Sequence, residues 1–401
     1  MPQSVAGFRR ICSYSILWLL CVSAPAVQAE IRDDTAPGFS GSFALKMLSD
    51  DNIYRTETGQ TSDMAFIIAP TLEHISVFSK HRLDLGYAGK YAMYSDYSDE
   101  SFSDTKINGD FLLDLSTKLD LSLGTRYLWS HDPRGASGTG STQGLEPDTW
   151  EEMSYYLDVV YGRRTSRAQI QARYQSTSRD FTNNNQTTRN HDTDTVSMTA
   201  FYNASAHFSY LLEVRSSSIA YIEAPTSDRD STELAYFLGT RWEFSGLTVG
   251  NLRLGMLNKS MQSEFDADGN TLEDFNGFAA EGSIDWTPQH ADRYRMGLSR
   301  KTRESTEVTS SYYISSILSL AWQHDFTSLF ALNTAINYQT DEFSDSRKDT
   351  LYNLILGGDF SITERFKLGL TYTYSSRSSS ITGIDYTSNA LIFAGTYTPK
   401  W

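Results

Sequence analysis

Apolar and polar residues alternate with a period of two through almost the whole chain, and that leaves few folds open. In Lys118 to Trp129, the residues Leu119, Leu121, Leu123, Tyr127 and Trp129 fall on one face of an extended strand. Asp120, Ser122, Gly124 and Arg126 fall on the other. Arg82 to Met93 repeats the pattern, with Leu83, Leu85, Tyr87, Tyr91 and Met93 against Arg82, Asp84, Gly86, Ala88 and Lys90. Arg365 to Tyr374 and Asp292 to Leu298 do the same. A helix would scatter these residues around its circumference, whereas a strand sorts them into two faces.

The spacing of the strands narrows the choice further. The pattern predicts about 18 strands of roughly 10 to 14 residues, the first near 38–48 and the last near 386–398, a length that suits a tilted membrane crossing. Connections alternate between short and long. Thr117, Gly162 to Ser166, Phe244-Ser245-Gly246 and Ile362-Thr363-Glu364 are short; Ser130 to Thr149, Thr177 to Asp192 and Lys259 to Asp274 are long and rich in Asp, Asn, Ser, Thr and Gly. Outer-membrane barrels have this asymmetry of tight periplasmic turns and long extracellular loops. A soluble sandwich or propeller would have shorter strands and no such rhythm. The predicted fold is an all-β transmembrane antiparallel barrel in the bacterial outer membrane, with both termini periplasmic. Strands, not helices, do the crossing, because no stretch of about 20 apolar residues is present.

The N-terminal segment reads as a signal peptide, residues 1–29, which leaves 30–401 as the barrel. Arg9 and Arg10 form its basic region, Ile11 to Val22 its apolar core, and Val27-Gln28-Ala29 its small-x-small cleavage signal. As an anchor helix the core would be too short to span. The chain's two cysteines, Cys12 and Cys21, both lie in this segment. The mature chain is therefore expected to hold no disulfide, thiolate nucleophile or cysteine-based metal site. Loss of Arg9 and Arg10 takes the formal charge from −15 to −17, which argues against a nucleic-acid partner. At the other end, every second residue back from Trp401 reads Pro399, Tyr397, Gly395, Phe393 and Leu391. That alternation resembles the signal read by the barrel-assembly machinery, an expected partner alongside outer-membrane lipid.

The polar face carries charges of both signs. Its cations are Arg82, Arg126, Arg167, Arg173, Arg215, Arg241, Arg253, Arg293 and Arg295, interspersed with Asp84, Asp110, Asp114, Asp120, Asp158, Glu213, Glu233, Glu281 and Asp285. An Arg or Lys facing lipid at mid-depth costs about 2–4 kcal/mol, so these groups are assigned to the lumen. Two roles are open to them. They can neutralise one another as braces, or line a conduit in which guanidinium groups contact anionic or hydroxyl-rich solutes. Arg241, Arg253, Arg293 and Arg295 would make a basic stripe unless Glu281 and Asp285 cancel it.

Ser49-Asp50-Asp51-Asn52-Ile53-Tyr54-Arg55, followed by Ser62-Asp63 and Pro70, resembles the opening of the β-barrel porin-2 family. Tyr372-Thr373-Tyr374 with Arg377, Asp385-Tyr386 and Asn389 resembles that family's end. The resemblance implies a porin-like barrel along the mature chain. It also implies a part in exopolysaccharide production, with polysaccharide and polysaccharide-export proteins as partners.

Motifs for chemistry are missing: there is no phosphate-binding loop, GxSxG or HExxH. Gly135 to Gly144 reads as a flexible loop. Asp266-Ala267-Asp268-Gly269-Asn270 begins like a calcium loop, but Gly269 is misplaced and Gly277 stands where a Glu is needed. The seven histidines are scattered without ligand spacing. No catalytic residue, cofactor or metal is therefore expected. The resulting expectation is a porin-like polar passage serving exopolysaccharide export. The alternatives are a non-conducting structural barrel and, third, an enzyme with a loop-borne triad.

Overall fold

The computed structural model describes residues 37–137, 146–223, 229–244, 246–266, 269, 271–305 and 310–401. The expected signal peptide, 1–29, lies outside them, as do most of the run from Gly135 to Gly144 and part of the loop beginning at Asp266. Eighteen antiparallel strands are present among the described residues: β1 (Gly38–Asp50), β2 (Asp63–Phe78), β3 (His81–Tyr94), β4 (Phe102–Asp114), β5 (Leu119–His131), β6 (Thr149–Tyr161), β7 (Ala168–Phe181), β8 (His191–Ser205), β9 (Phe208–Tyr221), β10 (Ser231–Phe244), β11 (Thr248–Met261), β12 (Phe275–Gln289), β13 (Asp292–Glu304), β14 (Tyr312–Asp325), β15 (Phe330–Phe343), β16 (Lys348–Ser361), β17 (Phe366–Ser379) and β18 (Tyr386–Tyr397). Each pairs with its sequence neighbours, and β1 closes the ring on β18 from Phe43↔Tyr397 to Asp50↔Ala390. The sheet is a closed barrel, which removes the exposed edges an open sheet would leave.

The strands run 12 to 16 residues, longer than their alternation predicts. Most of the excess lies at the long-loop rim, although β2 gains its extra residues, 76–78, at the short turn. The connection expected over Thr177 to Asp192 shrinks to 182–190, and that over Lys259 to Asp274 to 262–274. Strand pairing there continues through Ser, Thr and Asp, because backbone hydrogen bonds need no apolar face once the strand has left lipid. Arg167, expected on a strand's inner face, sits in the 162–167 turn instead, exposed.

Parity decides which side faces what. Register sets Met47 opposite Phe66 and Phe66 opposite Met93, so apolar side chains form bands across strands. Leu238 is 68% exposed while Glu281 is 4% exposed, the reverse of a soluble core. So large an exposed apolar surface requires lipid around it. Near the short-turn rim the outer face is aromatic, with Trp286, Tyr294 and Trp322 in ring contact. The Trp322 indole N–H donates to Asp292 at 3.0 Å, as suits an amphipathic ring at an interface.

Candidate functional site

The polar face is concave. Its side chains reach strands that are not neighbours, which is possible only across the inside of a barrel. Gly124 of β5 shows how. A Cβ there would meet the Tyr156 ring at 2.1 Å. Its absence lets Tyr156 of β6 lie over β5 and donate to Asp110 of β4 at 2.8 Å.

Apart from Arg167, the arginines assigned to the lumen by parity each meet a polar or acidic partner on this face. Arg82 pairs with Asp84 at 2.7 Å, and Arg126 with Glu152 at 3.1 Å. Arg173 stands 3.7 Å from Asp158 and 4.2 Å over the Tyr156 ring. Arg241 donates to Gln169 of β7 and lies over Phe201 at 3.8 Å. Arg215 and Arg253 are brought together with Glu213 and Glu281. Arg215 meets Glu213 at 2.6 Å and Glu281 at 2.7 Å; Arg253 lies 3.2 Å from Glu213 and 3.5 Å from Glu281. Both carboxylates are buried; Arg215 grips Glu281 with two parallel hydrogen bonds and Arg253 adds a second charge beside both acids, so the quartet ties β9, β11 and β12. Arg295 pairs with Asp285 at 2.7 Å, and Arg293 approaches Asp325 at 3.9 Å. The stripe expected from Arg241, Arg253, Arg293 and Arg295 is thus interleaved with Glu281 and Asp285. Changing Arg293 and Arg295 to Ala leaves Asp285 and Asp325 uncompensated. The reversal potential of the double variant in a salt gradient should then move towards cation preference; an unchanged potential in a conducting, folded barrel would mean that these arginines only brace the wall.

Toward the long-loop rim the interior is crossed. Pairing of β13 with β12 ends at Ala280↔Arg300, whereas pairing with β14 continues to Glu304↔Tyr312. Freed from β12, the end of β13 turns inward. Glu304 accepts from Lys259 of β11 at 2.6 Å and from the Tyr221 hydroxyl of β9 at 2.9 Å. Lys259 has no exposed surface, and it also donates to Ser231 at 2.8 Å and Glu233 at 3.5 Å. The connection after β5 crosses as well. Arg134 donates to Glu100 at 2.9 and 2.5 Å, Gly135 packs on the Tyr386 ring of β18, and Ser137 comes against Asp341 of β15. At φ +75° and that close to the ring, Gly135 can only be glycine. Arg189 ties this connection to the next, bridging Asp132 at 2.6 Å and Asp148 at 2.7 Å.

Sequence reasoning missed Lys259, Glu304, Arg134 and Arg189. For Lys259 a signal existed. It shares the parity of Arg253, Gly255 and Leu257, and extending β11 by one turn of the pattern would have placed it inside. Loop residues such as Arg134 carry no parity.

The opening and closing motifs meet at the seam. Asp50 accepts from the Asn52 backbone N–H at 2.9 Å, from Arg55 at 2.9 and 2.8 Å, and from Ser388 at 2.8 Å. Asn52 donates to the Thr387 carbonyl at 2.9 Å, and Asn389 donates twice to Asp51 at 2.7 Å. Burial pulls the Arg55 pKa down, but the Asp50 hydrogen bond and charge outweigh it and hold it above the ordinary value. No group of His, Cys, Asp and Glu among the described residues could hold a metal ion.

A family model described as "Putative beta-barrel porin 2" matches residues 39–395. No curated protein matches the sequence. Among solved structures, the chain is similar to Pseudomonas aeruginosa OccK2 (OpdF), at 10% identity and TM-score 0.48 over 91% of this chain and 99% of that one. It is also similar to P. aeruginosa OpdK crystallised with vanillate, at 8% identity and TM-score 0.47 over 90% and 99%. Acinetobacter baumannii OccAB3 aligns at 10% identity and TM-score 0.45 over 90% and 99%.

Proposed function

Since the chain belongs to the family described as Putative beta-barrel porin 2, porin-like barrels of the bacterial outer membrane, we propose that it is a passive, porin-like polar passage whose cargo is an exopolysaccharide chain leaving the cell. The observation that carries the reading is the interior face, where Arg–carboxylate pairs follow one another along the wall. Such a wall offers donors and acceptors to a hydroxyl-rich solute while presenting little net charge. The long-loop rim is the extracellular end in this reading, because there the outer face turns to Ser, Thr and Asp beyond the apolar band. The termini then lie in the periplasm. The barrel-assembly machinery and polysaccharide-export proteins are the partners this arrangement implies, with Leu391, Phe393 and Tyr397, exposed on the outer face of β18, as the assembly signal.

The crossing contacts around Lys259 and Arg134 favour a second reading, a barrel closed by its own loops that serves as a scaffold in the envelope. Planar-bilayer recording separates the two. A passage gives discrete conductance steps with the purified barrel, and a scaffold gives none. Deleting the gene and measuring surface polysaccharide tests the cargo: unchanged polysaccharide removes it.

A further inference from the structure

The short-turn rim has nine positions, eight hairpin turns and the joined chain ends, and its charge is not spread evenly among them. In ring order, five consecutive positions carry a cation. These are Arg365 in 362–365, Lys400 after β18, Lys80 in 79–80, Lys118 in 115–118, and Arg163, Arg164 and Arg167 in 162–167. The next four, 206–207, 245–247, 290–291 and 326–329, hold neither Lys nor Arg. Carboxylates take up only part of the arc. Lys80 and Arg163 share Asp114 at 3.3 Å, Arg164 meets Glu243 at 2.8 Å, and Lys400 meets Glu364 at 2.9 Å. Lys118, Arg167 and Arg365 are exposed and form no ion pair among the described residues.

The opposite rim has the other sign: between β11 and β12 alone stand Glu264, Asp266, Asp268, Glu273 and Asp274, with no cation among them. The barrel is therefore polarised along its axis, and its basic end is basic on one side only. An annular lipid layer touches every turn alike, so it gives no reason for cations to occupy five positions in succession. A discrete anionic partner does. Strands lie about 4.8 Å apart and tilt by roughly 40°, so successive turns, two strands apart, stand roughly 12 Å from one another along the rim. One flexible cation per 12 Å step matches repeated charge on an extended chain rather than a shaped surface.

We propose that this arc is a docking track for an acidic polysaccharide presented to the short-turn mouth, an inference that rests on the carbohydrate cargo proposed above. Charge attraction on a rim of one sign gathers a polyanion at the mouth before any passage begins.

The test uses the full barrel in nanodiscs of zwitterionic lipid, with polygalacturonate fragments as the acidic probe and dextran as the neutral one. The wild type should bind polygalacturonate at low salt and ignore dextran. Changing Lys80, Lys118, Arg167 and Arg365 to Gln should weaken binding by about tenfold or more and flatten its salt dependence. Lys348→Gln, at the other rim, should leave binding as it is. Three results overturn the proposal: equal binding by the quadruple variant, polyglutamate bound at least about tenfold more tightly than polygalacturonate, or loss of polygalacturonate binding once phosphatidylglycerol is added to the disc. The second would assign the arc to an acidic protein and the third to lipid headgroups. Bilayer recording on the same samples keeps the questions apart, since a barrel that binds the probe but never conducts retains the arc and loses the passage.

Discussion

Lys259→Met should raise single-channel conductance and lower the temperature at which the barrel loses its compact gel mobility. Lys259 reaches both Glu233 and Glu304, and it is fully buried. Methionine matches its length without the charge. Two partly buried carboxylates then face each other without their cation, and breaking a buried pair in this way costs up to about 3–5 kcal/mol. The strain is relieved most readily at the end of β13 beyond Arg300, past the last residue that pairs with β12. As it swings from the wall, the long-loop mouth widens. Lys259→Met combined with Glu304→Gln should recover much of the stability and remain more conductive than the wild type. A single variant with wild-type conductance and wild-type melting would show that Glu304 does not hold the crossing in place.

Asp50→Ala should lower stability by a similar amount, about 3–5 kcal/mol, and open the barrel at one place. Asp50 is 4% exposed and accepts from Asn52, Arg55 and Ser388, joining the first strand to the last. Its removal leaves the Arg55 guanidinium half-buried without its carboxylate. Ser388→Ala, which deletes one neutral hydroxyl, should cost only about 1 kcal/mol. Protease sensitivity measured strand by strand should rise at β1 and β18 in the Asp50 variant before it rises elsewhere. Uniform sensitivity, or none, would place the motif's role somewhere other than the seam.

Much of this architecture is legible in the residues themselves. Alternation in Lys118 to Trp129 separates the lipid face from the lumen face correctly, because side-chain direction along a strand is a local property with a fixed period. The places of the turn expected at Ile362-Thr363-Glu364, observed as 362–365, and of the acid-rich connection expected from Lys259 to Asp274, observed as 262–274, are legible from where that alternation breaks. The length of β7 and β11 is not. Above the lipid the polar residues continue on both faces, and only pairing with β8 and β12 shows that the strands continue.

The site divides along the same line. Parity alone puts Arg215, Arg253 and Glu281 on one face, yet it cannot say that Glu213 and Glu281 hold both arginines. That depends on register, which is fixed by the turns and by closure. The motif from Ser49 to Arg55 and the one around Asn389 are each visible in sequence. Only the closed ring makes Asn52 and Thr387, 335 residues apart, hydrogen-bonded neighbours. Glu304 lies furthest from what a sequence can reveal. Its place beside Tyr221 and Lys259 exists because β12 stops pairing at Ala280 and β13 is free to bend inward. The sequence by itself determined the strands, their faces and the membrane they cross, since these follow from local periodicity. Which charges meet, where the barrel is latched and how far its mouth is crossed were decided by the tertiary structure, because each needs groups from distant strands that only barrel closure brings within reach.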